Sequence, residues 1–309
     1  MLDIVVIGSL NTDLVIKAPR LPSPGETLHG EELRTIPGGK GANQAAAAAR
    51  LGSWVAMVGR IGRDEFGPRL VDNLAHLCVN TDHIHVDPHT STGTALIMVD
   101  QQGENTILLS SGANGRVSKA DIDTALPLLK QAKLLLLQFE IPLETVAYAL
   151  EKAAELDLQV ILNPAPAKPV SQELLSKVDI LVPNMTELQL LSGIPAEDDQ
   201  TIRQAAQTLL DMGVGIVVVT LGERGALLVT PQEIELVPGI EVDVVDTTAA
   251  GDAFIGALAT ALVRDMPLVE AIRFSNCAGA LATTRFGAQT SLPSADEVYQ
   301  VYSRGYWKK

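Results

Sequence analysis

The chain has 309 residues, enough for one large domain or two small ones, and 47% of them are hydrophobic while only 4% are aromatic. A core of Ala, Val, Leu and Ile favours an α/β protein with close helix–sheet packing. Lys and Arg number 23 against 37 Asp and Glu, a formal net charge of −14, so there is no electrostatic footprint for nucleic acid or an anionic membrane surface.

Ile4 to Ile7 predicts a buried strand. It lacks the basic n-region and long h-region of a signal peptide. No run approaches the ~18 apolar residues of a membrane span, and the expectation is a cytoplasmic protein. Cys78 and Cys277 match no metal or CxxC spacing and read as buried small hydrophobes in a reducing compartment. Gly8-Ser9 ends the first strand, and Asn11-Thr12-Asp13 follow it. Polar residues past the carboxyl end of an apolar strand are where open α/β sheets place ligands, though an Asx turn would read the same way.

Leu14-Val15-Ile16 resumes a strand, and Pro19 to Pro37 reads as a small β excursion with an extended piece over Glu31 to Ile36. Pro37-Gly38-Gly39-Lys40-Gly41-Ala42-Asn43-Gln44 then feeds an alanine-rich helix ending near Arg50-Leu51-Gly52. The segment fails as a P-loop, because Gly41 follows Lys40 where Ser or Thr is required. Its glycines still allow close backbone approach, and Lys40 and Asn43 add directional donors suited to hydroxyls or phosphates. A glycine-rich helix entry with a solvated lysine is the plainer alternative.

Trp54 to Ile61 predicts a strand and Asp64 to His76 a helix; His83, His85 and His89 read as surface histidines in a turn and strand edge. Thr94 to Val99 and Asn105 to Leu109 form a predicted hairpin, paired with the earlier excursion as one lid inserted at about 12–37 and 92–110 of a single domain. After Ser118 the strands are Leu134 to Phe139, Gln159 to Asn163, Ile180 to Pro183 and Ile216 to Leu221. Between and after them come helices at about Leu143 to Leu156, Ser171 to Lys177, Thr186 to Ser192 and Thr201 to Met212. Apolar strands alternating with amphipathic helices predict a parallel sheet covered on both faces. Glu140, Asn163, Asn184 with Glu187, and Thr220 then share one sheet edge, which makes a site.

Ala226 to Val237 predicts an antiparallel hairpin, followed by an acidic strand-like run from Glu241 to Val245. Asp246-Thr247-Thr248-Ala249-Ala250-Gly251-Asp252 leads into a helix whose Phe254, Ala257, Leu258, Ala261 and Leu262 keep the period of one buried face. The free N–H groups of such a helix start bind anions, phosphate above all. Asp252, in the first turn, is either a helix-stabilising residue or a general base to a hydroxyl attacking a phosphoryl group. Leu268 to Thr284 predicts the next helix, carrying Asn276 and running to Arg285-Phe286-Gly287-Ala288-Gln289-Thr290-Ser291.

Asn11-Thr12-Asp13, Gly38 to Asn43, Asn184-Met185-Thr186-Glu187, Asp246 to Asp252, and Gly287-Ala288-Gln289 with Ser291 stand in this order over essentially the whole chain. In these motifs the chain resembles the ribokinase/phosphofructokinase-B carbohydrate kinase family, in its ribokinase branch. The resemblance implies a doubly wound, mainly parallel α/β sheet with helices on both faces and a small β-sheet lid. It also implies ATP-dependent phosphorylation of a sugar primary hydroxyl, here the 5-hydroxyl of D-ribose; fructose, deoxyribose, 2-keto-3-deoxygluconate and adenosine remain open as acceptors. Carried over by the resemblance, Asp252 is the base, and Ala249, Ala250 and Gly251 form the anion hole. Asn11, Asp13, Gly39, Lys40, Asn43, Glu140 and Asp252 hold the sugar. Asn184 and Glu187 organise phosphate and Mg²⁺, while Thr220, Gly222, Gly225, Gly251 and Asn276 line the nucleotide. Asp246, Thr248, Ala282, Arg285, Gly287 and Ser291 match a monovalent-cation site for K⁺. A homodimer through the lid is expected. Ala249 stands where many relatives have Gly, and is expected at negative φ.

Overall fold

The computed structural model describes residues 2–102 and 105–305, and the tip of the predicted 94–109 hairpin (Gly103 and Glu104) lies outside them. In chain order the first half holds β1 (Ile4–Ile7), β2 (Asn11–Lys17), β3 (Arg34–Gly38), α1 (Lys40–Arg50), β4 (Val55–Gly62) and α2 (Phe66–His76). β5 (Asn80–Asp87), β6 (Gly93–Val99), β7 (Asn105–Ser110), α3 (Lys119–Leu129), β8 (Leu134–Gln138), α4 (Leu143–Glu155) and β9 (Gln159–Asn163) follow. The chain continues with α5 (Gln172–Leu175), β10 (Ile180–Leu181), α6 (Met185–Ser192), α7 (Asp199–Asp211), β11 (Ile216–Thr220), β12 (Gly225–Val229) and β13 (Ile234–Pro238). It ends in α8 (Ala250–Leu262), α9 (Leu268–Ala282) and α10 (Ala295–Arg304).

Apolar, β-branched runs build a sheet ordered β13-β12-β11-β10-β9-β8-β1-β4-β5, parallel from β11 to β5 and antiparallel at β12 and β13. Side chains alternate between the faces. Ile4 and Val6 join one buried cluster with α1, α2, α8, α9 and α10, while Val5 and Ile7 join another with α3 to α7. This is the doubly wound sheet expected from the strand–helix alternation. A separate sheet, β3-β2-β6-β7, carries the predicted lid. Asn11-Thr12-Asp13 are the first residues of β2 rather than a turn, so their side chains alternate across the lid strand.

Several expectations change. Glu241 to Val245 forms no strand, and this mostly exposed run hangs from the body by the Val245 N–H bond to the Thr283 carbonyl (2.8 Å). α8 is buried from Asp252 through Ala261, not on one face, because α1 and α9 enclose it. Cys78 is exposed at positive φ (63°), where the chain leaves α2, and only Cys277 is buried. The predicted 171–177 helix shrinks to Gln172–Leu175, and 64–76 begins at Phe66 with Asp64 bonding the Phe66 and Gly67 N–H groups. The edge strand β5, with His83 and His85 inside it, and helices α3 and α10 were not anticipated. No helix among the described residues is long and apolar enough to cross a membrane.

Candidate active site

The carboxyl ends of β8, β9, β10 and β11 lie side by side, so Glu140, Asn163, Asn184 and Thr220 emerge along one edge, as the alternation predicted. α8 starts opposite this edge. Ala249 caps it at φ 59°, ψ 10°, in the left-handed region, which corrects the expected negative φ. The first intrahelical bond returns from Ala253 N–H to the Ala249 carbonyl (2.8 Å), leaving Gly251 and Asp252 among the N–H groups without an acceptor one turn back. Ala250 N–H makes a long bond to the Thr247 carbonyl (3.3 Å). Asp252 is buried, and each carboxylate oxygen accepts one amide: Oδ2 from Asn43 Nδ2 (2.9 Å), Oδ1 from Gln44 Nε2 (3.0 Å).

The glycine-rich loop brings the sugar-binding candidates to that carboxylate. Gly39 caps α1 at φ 91°, and a Cβ there would stand 2.7 Å from the Asn11 backbone nitrogen, so only glycine lets α1 start against β2. Lys40 N–H donates to Glu140 Oε2 (3.1 Å), and the Ser9 hydroxyl bonds the same oxygen. Asn11 is buried, its Oδ1 accepting from Asn114 Nδ2 (2.7 Å), which also bonds the Leu10 carbonyl (3.0 Å). Asp13 sits nearby: burial, then the charges of Glu140 and Asp252, push its pKa up to about 7. Burial works against the Lys40 ammonium, but Asp252, Glu140 and Glu187 outweigh it and hold its pKa above the ordinary lysine value. Four carboxylates and one ammonium thus converge where a polyol's hydroxyls would need acceptors and a phosphoryl group a cation.

Asn184 and Glu187 form a capping box at the start of α6. Asn184 Oδ1 accepts from Glu187 N–H (2.8 Å), and Glu187 Oε2 accepts from Asn184 N–H (2.9 Å). Burial raises the Glu187 pKa, with the Asn184 N–H and Lys40 opposing it. A cavity of about 430 Å³ runs between Lys40, Asn184, Glu187, Thr220, Gly222, Gly251 and Asp252. A second, of about 350 Å³, is more apolar, walled by Val242, Val244, Phe254, Gly225 and Asn276. Thr220, Gly222, Thr247 and Gly251 line both, so the two meet at the helix start. Asn276 Nδ2 is engaged by the Val237 and Pro238 carbonyls (both 3.1 Å), which fixes it in the wall of the second cavity.

The cation-site candidates come together in part. Asp246 Oδ1 accepts from Thr248 N–H and Oγ1 (2.9 and 2.6 Å), and Oδ2 from Gly287 N–H (2.9 Å). Burial would raise its pKa, but the Thr248 and Gly287 bonds prevail and lower it. Ser291 Oγ turns to the Ala288 carbonyl (2.8 Å), Ala282 closes α9, and the Arg285 side chain leaves to pair with Glu297 on α10, so Arg285 has only its backbone to offer. Among the described residues no three His, Cys, Asp or Glu side chains gather as a metal cluster.

Sequence reasoning gave no role to Ser9 and Asn114, which back Glu140 and Asn11, or to Gln44, Gln138 and Gln289. Gln289 Nε2 bonds Asn43 Oδ1 (3.1 Å), tying the 285–291 loop to α1. Asn114 carries no local signal at all; a polar residue ending β8 was visible but indistinguishable from an ordinary strand terminus.

The chain matches the pfkB family carbohydrate kinases over residues 1–295. It is 41% identical to the ribokinase of Haemophilus influenzae over 297 residues, covering 96% of this chain and 97% of that one. It is 40% identical to the deoxyribokinase of Salmonella typhimurium over 303 residues, 98% and 99% of the two. The solved structure of Arabidopsis thaliana ribokinase complexed with ribose and ATP superposes with a TM-score of 0.92 at 35% identity, over 98% of this chain and 99% of that one. Thermotoga maritima ribokinase gives 0.90 at 39% identity over 99% and 100%. With a family match over residues 1–295 and a ribokinase 41% identical over nearly the whole of both chains, the chain belongs to the pfkB family of carbohydrate kinases and is a sugar kinase.

Proposed function

We propose that the protein transfers the γ-phosphoryl group of ATP to the 5-hydroxyl of D-ribose, giving ribose 5-phosphate and ADP. The observation that carries this is the meeting of two cavities at Gly251, beside the buried carboxylate of Asp252. The apolar cavity suits an adenine, with Gly225 and Asn276 in its wall; the polar one suits the phosphates, against Thr220, Gly222 and Asn184. The sugar lies between Asn11, Asp13, Gly39, Lys40, Asn43 and Glu140, its primary hydroxyl toward Asp252. As the new O–P bond forms and the β–γ bridging bond breaks, the hydroxyl proton passes to Asp252 and ADP leaves. Lys40 and the N–H groups of the 249–251 turn face the charge that develops on the transferred group.

Mg²⁺ fits as a companion of the ATP phosphates rather than as a protein-caged ion. Glu187 is a single carboxylate already bonded to Asn184, so it would reach the ion through water. Bound there, Mg²⁺ would neutralise charge on the ATP phosphates. K⁺ fits the oxygen-rich loop of Asp246, Thr248, Ala282, Arg285, Gly287 and Ser291, mainly through carbonyls. There it would order the turn into α8. We also take the chain as one α/β domain whose lid, at about 12–37 and 92–110, closes over the sugar, acting in the cytoplasm on small molecules and not on nucleic acid or membranes.

The likeness to a deoxyribokinase at 40% identity favours one second reading, 2-deoxyribose as the acceptor. ATP consumption measured in parallel with ribose, 2-deoxyribose, fructose and adenosine, each with K⁺ and with Na⁺, separates the two. Ribose-dependent, K⁺-stimulated turnover is expected. Turnover with 2-deoxyribose alone moves the assignment to the second reading, and turnover with no pentose rejects both.

A further inference from the structure

We infer that Gln44 is a positioning residue for Asp252, and that Gln138 and Asn163 set the orientation in which it works. Neither Gln44 nor Gln138 reaches the cavities, and both are fully buried. The inference rests on the reading of Asp252 as proton acceptor.

An amide is useful to a carboxylate only if its NH₂ end faces it; turned over, its carbonyl oxygen would meet the anion. Which end faces Asp252 is decided by a group that has no choice. The Val182 carbonyl can only accept, and Asn163 Nδ2 donates to it (3.1 Å). Asn163 must therefore present Oδ1, which accepts from Gln44 Nε2 (3.2 Å). The other hydrogen of Gln44 Nε2 goes to Asp252 Oδ1 (3.0 Å). Gln44 Oε1, pointing the opposite way, accepts from Gln138 Nε2 (2.6 Å). Every amide in the chain from β8, β9 and β10 to α1 is thus polarised toward the carboxylate on α8.

The arrangement is held at some expense in hydrogen bonding. Gln138 Oε1 is buried with no hydrogen-bond partner among the described residues, which a purely stabilising residue would avoid. Its seat is cut out of the neighbouring backbone: a Cβ on Gly8 would lie 2.1 Å from that oxygen. Asn43 holds Oδ2 from the sugar side, so Gln44 fixes the carboxylate plane from behind while Asn43 answers to substrate. Lys40 on α1, Glu187 on α6 and Asp13 on β2 are the charged groups that face Asp252, with Glu140 after β8 beside Asp13 and Lys40, and none belongs to the amide chain.

The test compares Gln44→Met, Gln138→Met and Asp252→Asn in the full-length enzyme. The readouts are kcat, both KM values and Tm. Gln44→Met is expected to lower kcat by ~10- to 100-fold with KM for sugar and ATP within about threefold. Gln138→Met should lower kcat by less, with Tm nearly unchanged because it also removes the orphaned oxygen. An unchanged kcat in either variant overturns the inference, as does a loss carried wholly by KM. If Gln44→Met does not fold, Gln138→Met decides alone. Failure of the underlying reading is separately visible: Asp252→Asn would then keep its turnover.

Discussion

Asp13 shows how one residue can be read for acid–base behaviour and binding together. Burial with Glu140 and Asp252 alongside pushes its pKa from the ordinary 3.8 to about 7, so the folded apoprotein retains a proton that the unfolded chain has lost. The stability from this group is therefore full below about pH 4 and disappears as pH rises through about 7. Sugar hydroxyls need the ionised carboxylate as a two-oxygen acceptor. Ribose should accordingly bind more tightly as pH rises through about 7, by up to about tenfold per unit below it. Calorimetric Kd values between about pH 6 and 8 check this. Asp13→Asn should bind more weakly and lose the slope, whereas the same slope in the variant would assign the titration elsewhere.

At the scale of the element, α8 combines a site and a strain. Helices α1 and α9 enclose it, so its all-round burial fixes where its first turn points. The turn is entered through Ala249 at φ 59°, a conformation that costs a residue with a Cβ roughly 1–2 kcal/mol. Ala249→Gly should relieve most of that, raising Tm by about 2 °C in a chain of this size, less what glycine adds to the entropy of the unfolded state. A thermal melt showing a fall instead would mean the methyl group packs usefully in the folded turn. The 285–291 loop, which holds part of the candidate cation site, is also tied to the lid: Lys17 of β2 and Arg34 of β3 lie over the Phe286 ring, at 5.5 and 5.2 Å from its centroid.

Across the whole molecule, the small sheet is the part with unfinished surface. Leu14, Leu96 and Leu108 are register neighbours on one face, and Leu96 and Leu108 are 48% and 68% exposed. The opposite face carries Asp13, beside Glu140 and Asp252. An apolar outer face on a sheet of this size is the expected seat of a second copy, which fits a homodimer formed through the lid. Sedimentation at micromolar concentration should give a dimer. Leu108→Glu should shift it toward monomer and raise the sugar KM several-fold, since an unsupported lid closes less well. A wild-type monomer at that concentration would refute the lid dimer.

What the amino-acid order determined by itself was everything written in local period and local chemistry. The strand–helix alternation yielded the parallel sheet, and the glycine-rich entry to α1 and the start of α8 were readable because their neighbours are sequence neighbours. Four polar strand ends pointed to one edge because parallel strands put all their carboxyl ends on the same side. Tertiary structure alone decided the rest. Gln44 reaches Asp252 from 208 positions away in the chain, with Gln138 and Asn163 bonded behind it, and nothing local distinguishes a glutamine that bonds a carboxylate from one that fills a core. The left-handed Ala249, the unpaired run 241–245 and the exposed Cys78 likewise depend on which helices pack beside them. Hydrogen-bond polarity and burial are properties of the assembled neighbours, so they exist only once the chain has closed on itself.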